Sequence, residues 1–349
     1  MSKNNYFSSI GLISVLLATG CVASSDSSNL LSELDREPAL ADLDALLADE
    51  PDLALIPRTE LKADAFLTSQ NFALRDLMTP VKSQGKRGVC SIFSTIGLME
   101  HLYLKAGAED PDFSEQFLQW SAKFEVGSFP STSGSNAFFN LQAIQSFGIP
   151  AEDVWPYEVD EWNEENDIAC TGEDDQPTHC YTNGHPTFEV QTSQKFTLPS
   201  NRSLHPLDIK NHIINEQTAV VVGFTFFYQA WNHRLSDLTT SDENWAQGIV
   251  LYPNEKDKEA SLEKRAGHSI LIIGWDDDMV APMLDENGEA VLDQFGEPVM
   301  EQGFYLFKNS WGTDSFGIDN EHGAGYGYIS QRYMHEFGRP RVSQTPFFF

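Results

Sequence analysis

Residues 79–90 read TPVKSQGKRGVC, and this stretch ends on a cysteine at the point where an apolar helical pattern begins. Behind Cys90, apolar residues recur on one helical face until Gly107 supplies a stop: Ile92, Ile96, Met99 and Tyr103. A thiol at a helix N-terminus faces free backbone N–H groups, which favour the thiolate. The alternative is a small core cysteine. The stretch therefore predicts a helix that begins on a candidate nucleophile.

Two more helices are predicted in the first half of the chain. Ser114 is a good N-cap for a helix from Glu115 to about Phe124. A third helix fits Asn136 to Phe147, with Ser135 as the predicted cap and Gly148 as its end. The first half is therefore predicted to be mainly helical.

The second half favours β-structure. Short runs rich in Val, Ile, Phe and Tyr predict strands at residues 219–227, 269–275, 304–308 and 325–330. Between the second and third of these lies an acidic insertion, 276–302, in which DENGEAV at 285–291 is echoed by DQFGEPV at 293–299. The glycine in each unit predicts a surface hairpin. Calcium binding is the weaker alternative, since the loop lacks an EF-hand pattern.

Several segments together resemble the active-site segments of papain-like cysteine peptidases. The order Gln84, Cys90, His268, Asn309 is that of the family, and the resemblance spans about residues 72–335 discontinuously. The segments that carry it are TPVKSQGKRGVC at 79–90, FSEQ at 113–116, GS at 134–135, FGI at 147–149, WPY at 155–157, GHSILIIGW at 267–275, KNSWGT at 308–313 and GYGYIS at 325–330. Each is weak alone, and the joint pattern is specific.

The resemblance implies an α+β, papain-like two-lobe fold with the active site in the cleft between the lobes. The peptidase domain would span 71–349. Its helical N-terminal lobe would cover about 76–185 and its β-barrel-like C-terminal lobe about 186–345.

It also implies the catalytic roles. Cys90 would be the nucleophile, as a thiolate paired with His268, and would form an acyl-thioester. Asn309 would hold His268 in the productive tautomer. The Gln84 side chain and the Cys90 backbone N–H would bind the oxyanion. The implied substrate-binding residues are Gly134, Ser135, Asn136, Gly267 and Trp311, the last covering the His268–Asn309 hydrogen bond.

The chain departs from the family pattern at four positions. Ser91 stands where a tryptophan usually follows the nucleophile, and Ser135 replaces a second glycine. Arg87 and Thr132 stand where a disulfide is common, so both halves of that disulfide are missing. These changes keep open the alternative of a catalytically silent binding or scaffold protein. A second alternative is a thiol amidase or transpeptidase acting on cell-wall amides, since the same acyl-thioester mechanism would serve it.

The N-terminus is typical of an exported protein. Lys3 and the apolar run Ile10–Ala18 predict a signal peptide over residues 1–20. The run ends on Cys21, which resembles a bacterial lipobox and implies a lipidated cell-envelope protein. The alternative is an ordinary signal peptide and a secreted protein.

Residues 21–70 are interpreted as a tether or a short prosegment. Leucines at 30, 34, 43, 46 and 47 suggest a short amphipathic helix, and Pro51 and Pro57 interrupt any regular structure after it. The long helical prosegment of the family is not recognisable here.

Cys170 and Cys180 are the natural disulfide pair in an oxidising compartment. His179 and His185 lie beside them, so a zinc site is the weaker alternative, because the spacing fits no standard finger. No metal or organic cofactor is otherwise implied.

The net charge of the chain limits the classes of molecule that it is expected to bind. Lysine and arginine number 22 against 52 aspartate and glutamate residues, for a net charge of −30. Such a chain is a poor electrostatic match for nucleic acid or an anionic membrane. Peptide or protein substrates are therefore expected, with membrane contact only through a lipid at Cys21. The charge weakly favours basic substrates, although a solvated surface explains it equally well.

Overall fold

The computed structural model describes residues 40–63, 65–129, 132–159 and 188–347. The predicted signal peptide, Cys21 and the predicted Cys170–Cys180 disulfide with its neighbouring histidines lie outside these ranges, so the structure does not address the predictions about them. Within these ranges, none of the helices combines the length and apolar character needed to cross a membrane.

The helices and strands follow the predicted change from helical to β-structure. The α-helices are α1 (Leu43–Leu47), α2 (Cys90–Lys105), α3 (Glu115–Phe124), α4 (Ala137–Phe147), α5 (Phe188–Thr192), α6 (Ile209–Glu216), α7 (Asp242–Gln247), α8 (Glu255–Lys264) and α9 (Gln331–Phe337). The strands are β1 (Ala41–Asp42), β2 (Gln70–Asn71), β3 (Arg202–Ser203), β4 (Val220–Thr225), β5 (Ile249–Val250), β6 (Ala266–Pro282), β7 (Met300–Lys308), β8 (Tyr326–Ser330) and β9 (Arg339–Val342).

One mixed sheet organises the second half of the chain. Its order is β3-β9-β4-β6-β7-β8-β5, and β1 and β2 both pair with β6 outside that path. The first ten residues of β6 are all buried, which explains their nearly continuous apolar sequence. The neighbours β4 and β7 are antiparallel to β6. β6 is therefore the strand that fixes His268 at the centre of the molecule.

The helical part is built around α2. Fourteen of its sixteen residues are buried, so the helix lacks a solvent face and packs on both sides. Gly97 faces Leu271 of β6, and a Cβ there would lie 3.4 Å from the leucine side chain. This contact between α2 and the sheet sets the distance between the two parts of the chain. The architecture confirms the predicted α+β class with a helical and a β lobe.

The predicted helices are confirmed with one correction. Ser114 accepts a hydrogen bond from Phe117 N at 2.9 Å, as expected of an N-cap. For α4, the cap is Asn136, not Ser135: the Asn136 side chain accepts from Phe139 N at 3.1 Å. The Ser135 hydroxyl instead donates to Asn140 Oδ1 inside the protein, so it is unavailable for capping.

The acidic insertion forms the predicted surface hairpin between β6 and β7. Each repeated unit closes a tight loop around its first aspartate. Asp285 Oδ1 accepts the backbone N–H groups of Asn287 and Glu289, and Asp293 Oδ1 accepts those of Phe295 and Glu297. The internal echo is thus a repeated aspartate-centred turn.

Candidate active site

The four predicted catalytic side chains come from four separate places in the chain. Cys90 is the first residue of α2, and His268 lies near the start of β6. Asn309 directly follows β7, and Gln84 lies in the loop before α2. All four are buried. Their positions depend on the packing of α2 against β6 and on the β6–β7 pairing.

His268 is oriented by Asn309. The distance from His268 Nε2 to Asn309 Oδ1 is 2.9 Å. A carboxamide oxygen only accepts, so the proton lies on Nε2 and Nδ1 keeps a lone pair. Nδ1 is buried and has no hydrogen-bond partner within the part of the chain described. This ring nitrogen is therefore available to accept a proton.

An aromatic cage encloses the imidazole. Trp311 stacks on it with ring centroids 4.6 Å apart. Phe224, Phe226 and Trp231 approach it edge-on at 5.9, 6.1 and 5.1 Å. The cage excludes water from the His268–Asn309 hydrogen bond, which strengthens it. The stacking of Trp311 on His268 is compatible with the covering role that the resemblance implies for it.

The Cys90 sulfur is surrounded by backbone N–H groups. Four backbone N–H groups lie close enough to lower the pKa of the thiol. Three belong to Ser269, Ser91 and Cys90 itself, and the fourth belongs to Ala41, far away along the chain. The Ser269 group follows His268 directly, so it places the sulfur beside the start of β6. The helix start and the strand therefore meet at the thiol.

Gln84 is held at both ends of its side chain. Its Nε2 donates to the Arg87 carbonyl at 2.7 Å, and its Oε1 accepts from Ser310 Oγ at 2.7 Å. The Gln84 backbone N–H also donates to Ser310 O at 2.9 Å. Ser310 follows Asn309, so one segment orients both the histidine partner and the predicted oxyanion donor.

The two serines that depart from the family pattern belong to one buried network. Ser91 Oγ donates to the Ser135 carbonyl at 2.7 Å, and Ser135 Oγ donates to Asn140 Oδ1 at 2.7 Å. Asn140 Nδ2 lies 3.4 Å from both Ser91 Oγ and Thr95 Oγ1. These contacts tie the nucleophile helix to the cleft wall, so the substitutions leave the wall well ordered.

Arg87 supplies polar links at the position of the missing disulfide. Its fully buried guanidinium donates to Gln116 Oε1 at 2.8 Å and to the Glu158 carbonyl at 2.6 Å, and it also bonds Gln119 Oε1. It lies over the Tyr157 ring at 4.9 Å. The loop before the nucleophile is thereby fixed to α3 and to the turn beyond the cleft wall.

The segment from Leu40 to Glu50 covers this site. Ala41 pairs with Gly267 and Asp42 with Ala266 in an antiparallel bridge. The Leu40 carbonyl lies so close to Gly88 that a Cβ there would approach it to 2.9 Å. The predicted substrate-binding glycine Gly267 is therefore occupied by the chain's own backbone.

The same segment fills the adjacent pocket. Leu46 of α1 packs on two glycines: a Cβ on Gly267 would lie 2.5 Å from its side chain, and one on Gly223 would lie 3.4 Å away. Asn136 Nδ2 donates to the carbonyls of Ala45 and Ala48 at 3.1 and 3.0 Å. A Cβ on Gly134 would lie 3.7 Å from Asp42. Gly134, Asn136 and Gly267 thus contact the covering segment, whereas Ser135 acts through the buried network.

Burial changes the protonation of Cys90 and His268. Burial raises the pKa of the Cys90 thiol to about 12, which outweighs the four N–H groups. Burial lowers the pKa of His268 to about 3, with Asn309 opposing and His233 adding to the shift. In this covered state both groups are therefore neutral, because neither charge is solvated. The thiolate–imidazolium pair stays a prediction for the open site.

Sequence reasoning did not find the residues that cover the site. The only signal was the apolar pattern of Leu43, Leu46 and Leu47, which predicts a helix but not its binding place. Two further residues, Glu50 and Arg341, form a buried ion pair at the inner end of the cover, with Nε–Oε1 at 3.0 Å. Nothing local in the sequence indicates that pairing.

The chain belongs to the papain family of cysteine proteases, whose family model matches residues 68–336. The match begins beyond the segment that covers the site. Comparison with curated protein sequences found no significant match.

Solved structures share the fold. Xylellain, a cysteine protease from Xylella fastidiosa, superposes with a TM-score of 0.51 at 14% identity, covering 89% of this chain and 98% of that one. The cysteine protease and lectin-like domains of Cwp84, a surface layer associated protein of Clostridium difficile, give 0.54 at 18%, covering 93% and 60%. The digestive procathepsin L2 proteinase of Tenebrio molitor gives 0.50 at 17%, covering 91% and 87%.

Proposed function

We propose that the protein is a cysteine peptidase that hydrolyses peptide bonds through Cys90 and His268, and that it is made as a latent precursor. One observation supports this above the others: the Cys90, His268, Asn309 and Gln84 positions are all filled by the required residue types, and contacts with one another or with adjacent residues link them. A catalytically inactive protein would not require that His268 Nδ1 lack a hydrogen-bond partner, or that Asn309 Oδ1 lie 2.9 Å from His268 Nε2.

In the proposed reaction His268 Nδ1 takes the Cys90 proton once the site is uncovered. The sulfur then attacks the scissile carbonyl, and the developing oxyanion is bound by the Gln84 amide and the Cys90 N–H. The imidazolium passes its proton to the leaving amine, which departs and leaves an acyl-thioester. Water, deprotonated by His268, releases the carboxylic acid and restores the thiol.

Residues 21 to about 50 would act as a prosegment, and the lipobox-like Cys21 would anchor the precursor in the cell envelope after export. The prosegment proposal is supported by the backbone bridge from Ala41 to Gly267 and by Leu46 in the pocket beside it. A substrate cannot enter while these contacts persist. Activation would require displacement or cleavage of this segment.

The test is iodoacetamide labelling at mildly acidic pH together with turnover of a mixed peptide library that includes muropeptides. The full chain is measured before and after proteolytic nicking of residues 57–69, with Cys90→Ala as the control. We expect fast labelling and peptide cleavage after nicking only, and none by Cys90→Ala. Slow, ordinary alkylation with no cleavage would contradict a peptidase, and cleavage confined to muropeptides would identify the amidase alternative.

A further inference from the structure

The inner end of the covering segment places one carboxylate in a built site. Asp49 adopts a left-handed backbone conformation at φ 54, which turns the chain after α1 and directs Glu50 into the protein. The Glu50 side chain is 8% exposed and that of its partner, Arg341, 3%. The contact is bidentate, with Nε–Oε1 at 3.0 Å and Nη2–Oε2 at 3.2 Å.

Arg341 is held by groups that do not belong to the cover. Its Nη1 donates to Asn201 Oδ1 at 3.1 Å, and its guanidinium lies over the Phe138 ring at 4.6 Å. Phe138 is in α4, two residues after Asn136, which binds the cover next to Leu46. The backbone of Arg341 is fixed by pairing with both β3 and β4. The guanidinium is therefore preorganised on the cleft wall.

Removal of the cover leaves this cation without its carboxylate. The remaining contacts, an amide oxygen and an aromatic face, are neutral. A recessed guanidinium without a counter-charge is unfavourable, and it presents a planar pair of donors that matches a carboxylate. Arg339, in the same strand, adds to the positive potential felt at Glu50.

We infer that Arg341 forms an acidic-residue subsite in the open cleft, next to the apolar pocket filled by Leu46. This inference rests on the proposed function and names the substrate class: peptides with a glutamate or aspartate close to an apolar residue. The net charge of −30 would favour basic substrates at long range. The buried Arg341 acts at contact distance and selects the opposite charge.

The test measures binding, so that it does not depend on catalysis. The full chain carrying Leu46→Asp, Glu50→Gln and Cys90→Ala is titrated with fluorescein-labelled alanine hexapeptides. Each contains one leucine and either glutamate or glutamine at one of the other positions, and binding is followed by anisotropy. The peptides form pairs, here called twins, that differ only in glutamate or glutamine at one position. We expect one glutamate peptide to bind about tenfold more tightly than its glutamine twin, because a charged carboxylate is a stronger hydrogen-bond partner for Arg341 than a neutral amide.

Substitutions of Arg341 test whether this residue causes the preference for glutamate peptides. Arg341→Met should remove the preference, and Arg341→Lys, which keeps the charge without the planar donor pair, should retain part of it. Arg332→Met is the matched control, since Arg332 stacks on Tyr252 at 3.6 Å, outside the site. A thermal melt of each variant checks that it is folded.

Equal binding of all twins, no binding by any peptide, or a preference that survives in a folded Arg341→Met chain would overturn the inference. Cleavage by the chain with Cys90 restored is measured separately. A chain that binds glutamate selectively but never cleaves contradicts the proposed function and leaves the subsite intact.

Discussion

Two regions meet at Cys90, the catalytic cleft and the segment that covers it, and they are attached to the molecule in different ways. The cleft residues lie on α2, on β6 and on the loop after β7, all of which belong to the main core. The cover is attached by a two-residue bridge, the side chain of Leu46, the Asn136 amide and the Glu50–Arg341 pair.

This difference indicates that one set of residues assembles the catalytic site and a separate segment controls access to it. The elements around His268 belong to the main core, whereas the cover adds four buried apolar residues and one buried ion pair: Ala41, Leu43, Ala45 and Leu46, and Glu50–Arg341. Substitutions confined to one of the two regions can test this separation.

The largest effect is expected when Leu46 is made polar. Leu46→Asp in the full chain loses the burial of a leucine side chain, worth about 1.5–3 kcal/mol, and places a carboxylate in an apolar pocket. The uncovered population, and with it the rate of Cys90 alkylation at neutral pH, should rise about 100-fold. Reaction with iodoacetamide followed by mass spectrometry measures this rate.

Asp44→Asn is the matched control for that experiment. Asp44 lies on the same short helix, is exposed, and forms an ion pair with the exposed Arg265 side chain. Exposed pairs of this kind contribute little. An equal acceleration in both variants would mean that α1 as a whole is labile and that Leu46 has no special part.

Acid should loosen the cover. Burial lowers the pKa of His268 from 6.5 to about 3, and we expect water admitted by displacement of the cover to raise that pKa again, so that the covered state binds fewer protons than the uncovered one. The histidine therefore favours covering above pH 6.5, and this contribution is lost as the pH falls from 6.5 towards 3. The limit is about a tenfold change in the covering equilibrium per pH unit.

Hydrogen exchange of the Ala41 and Asp42 amides at about pH 7 and about pH 4.5, on either side of the ordinary histidine pKa, measures this loosening once intrinsic rates are corrected for. Full-length His268→Gln is the control and should lose most of the pH dependence. Identical protection at the two pH values in the unmodified chain would show that the histidine is not coupled to the cover.

A smaller effect on activity is expected on the cleft side. Arg87→Met leaves Gln116, Gln119 and the Glu158 carbonyl without their buried donor, which should lower the free energy of unfolding by about 3 kcal/mol. Looser support for the Arg87 carbonyl, which orients Gln84, should lower kcat about tenfold with little change in KM.

Urea unfolding measures the change in the free energy of unfolding, and steady-state kinetics of the protein nicked within residues 57–69 measure the changes in kcat and KM. Lys86→Met, one residue away in the same loop, is the control and should change neither. A loss of stability with kcat unchanged would show that Arg87 supports the fold but does not position the oxyanion donor.

The cleft could be predicted from the sequence far better than the cover, for a physical reason. Cys90, His268 and Asn309 lie within local patterns, a helix start and two buried strands, that can be recognised separately. The place where Leu46 binds depends on two glycines, Gly223 and Gly267, that lie about 180 and 220 residues away along the chain. No local pattern encodes such a contact.

The capping error has the same origin. Ser135 and Asn136 are both good N-caps, and the choice between them depends on Asn140, which takes the Ser135 hydroxyl into the buried network. The thiolate prediction considered the helix start and the imidazole but not the burial of both groups, which keeps them neutral in this covered state. In each case a tertiary neighbour decided between two locally acceptable outcomes.

The arginine at position 87 also bears on how the proposed exported precursor would mature. Cys90 is the sole cysteine among the residues described, and it is a free thiol. A cysteine three residues away would be a ready partner for mispairing with the nucleophile while the chain folds under oxidising conditions. With guanidinium contacts in its place, the loop is held without a sulfur bridge, so the proposed precursor would need no thiol oxidation there to order the loop before its nucleophile.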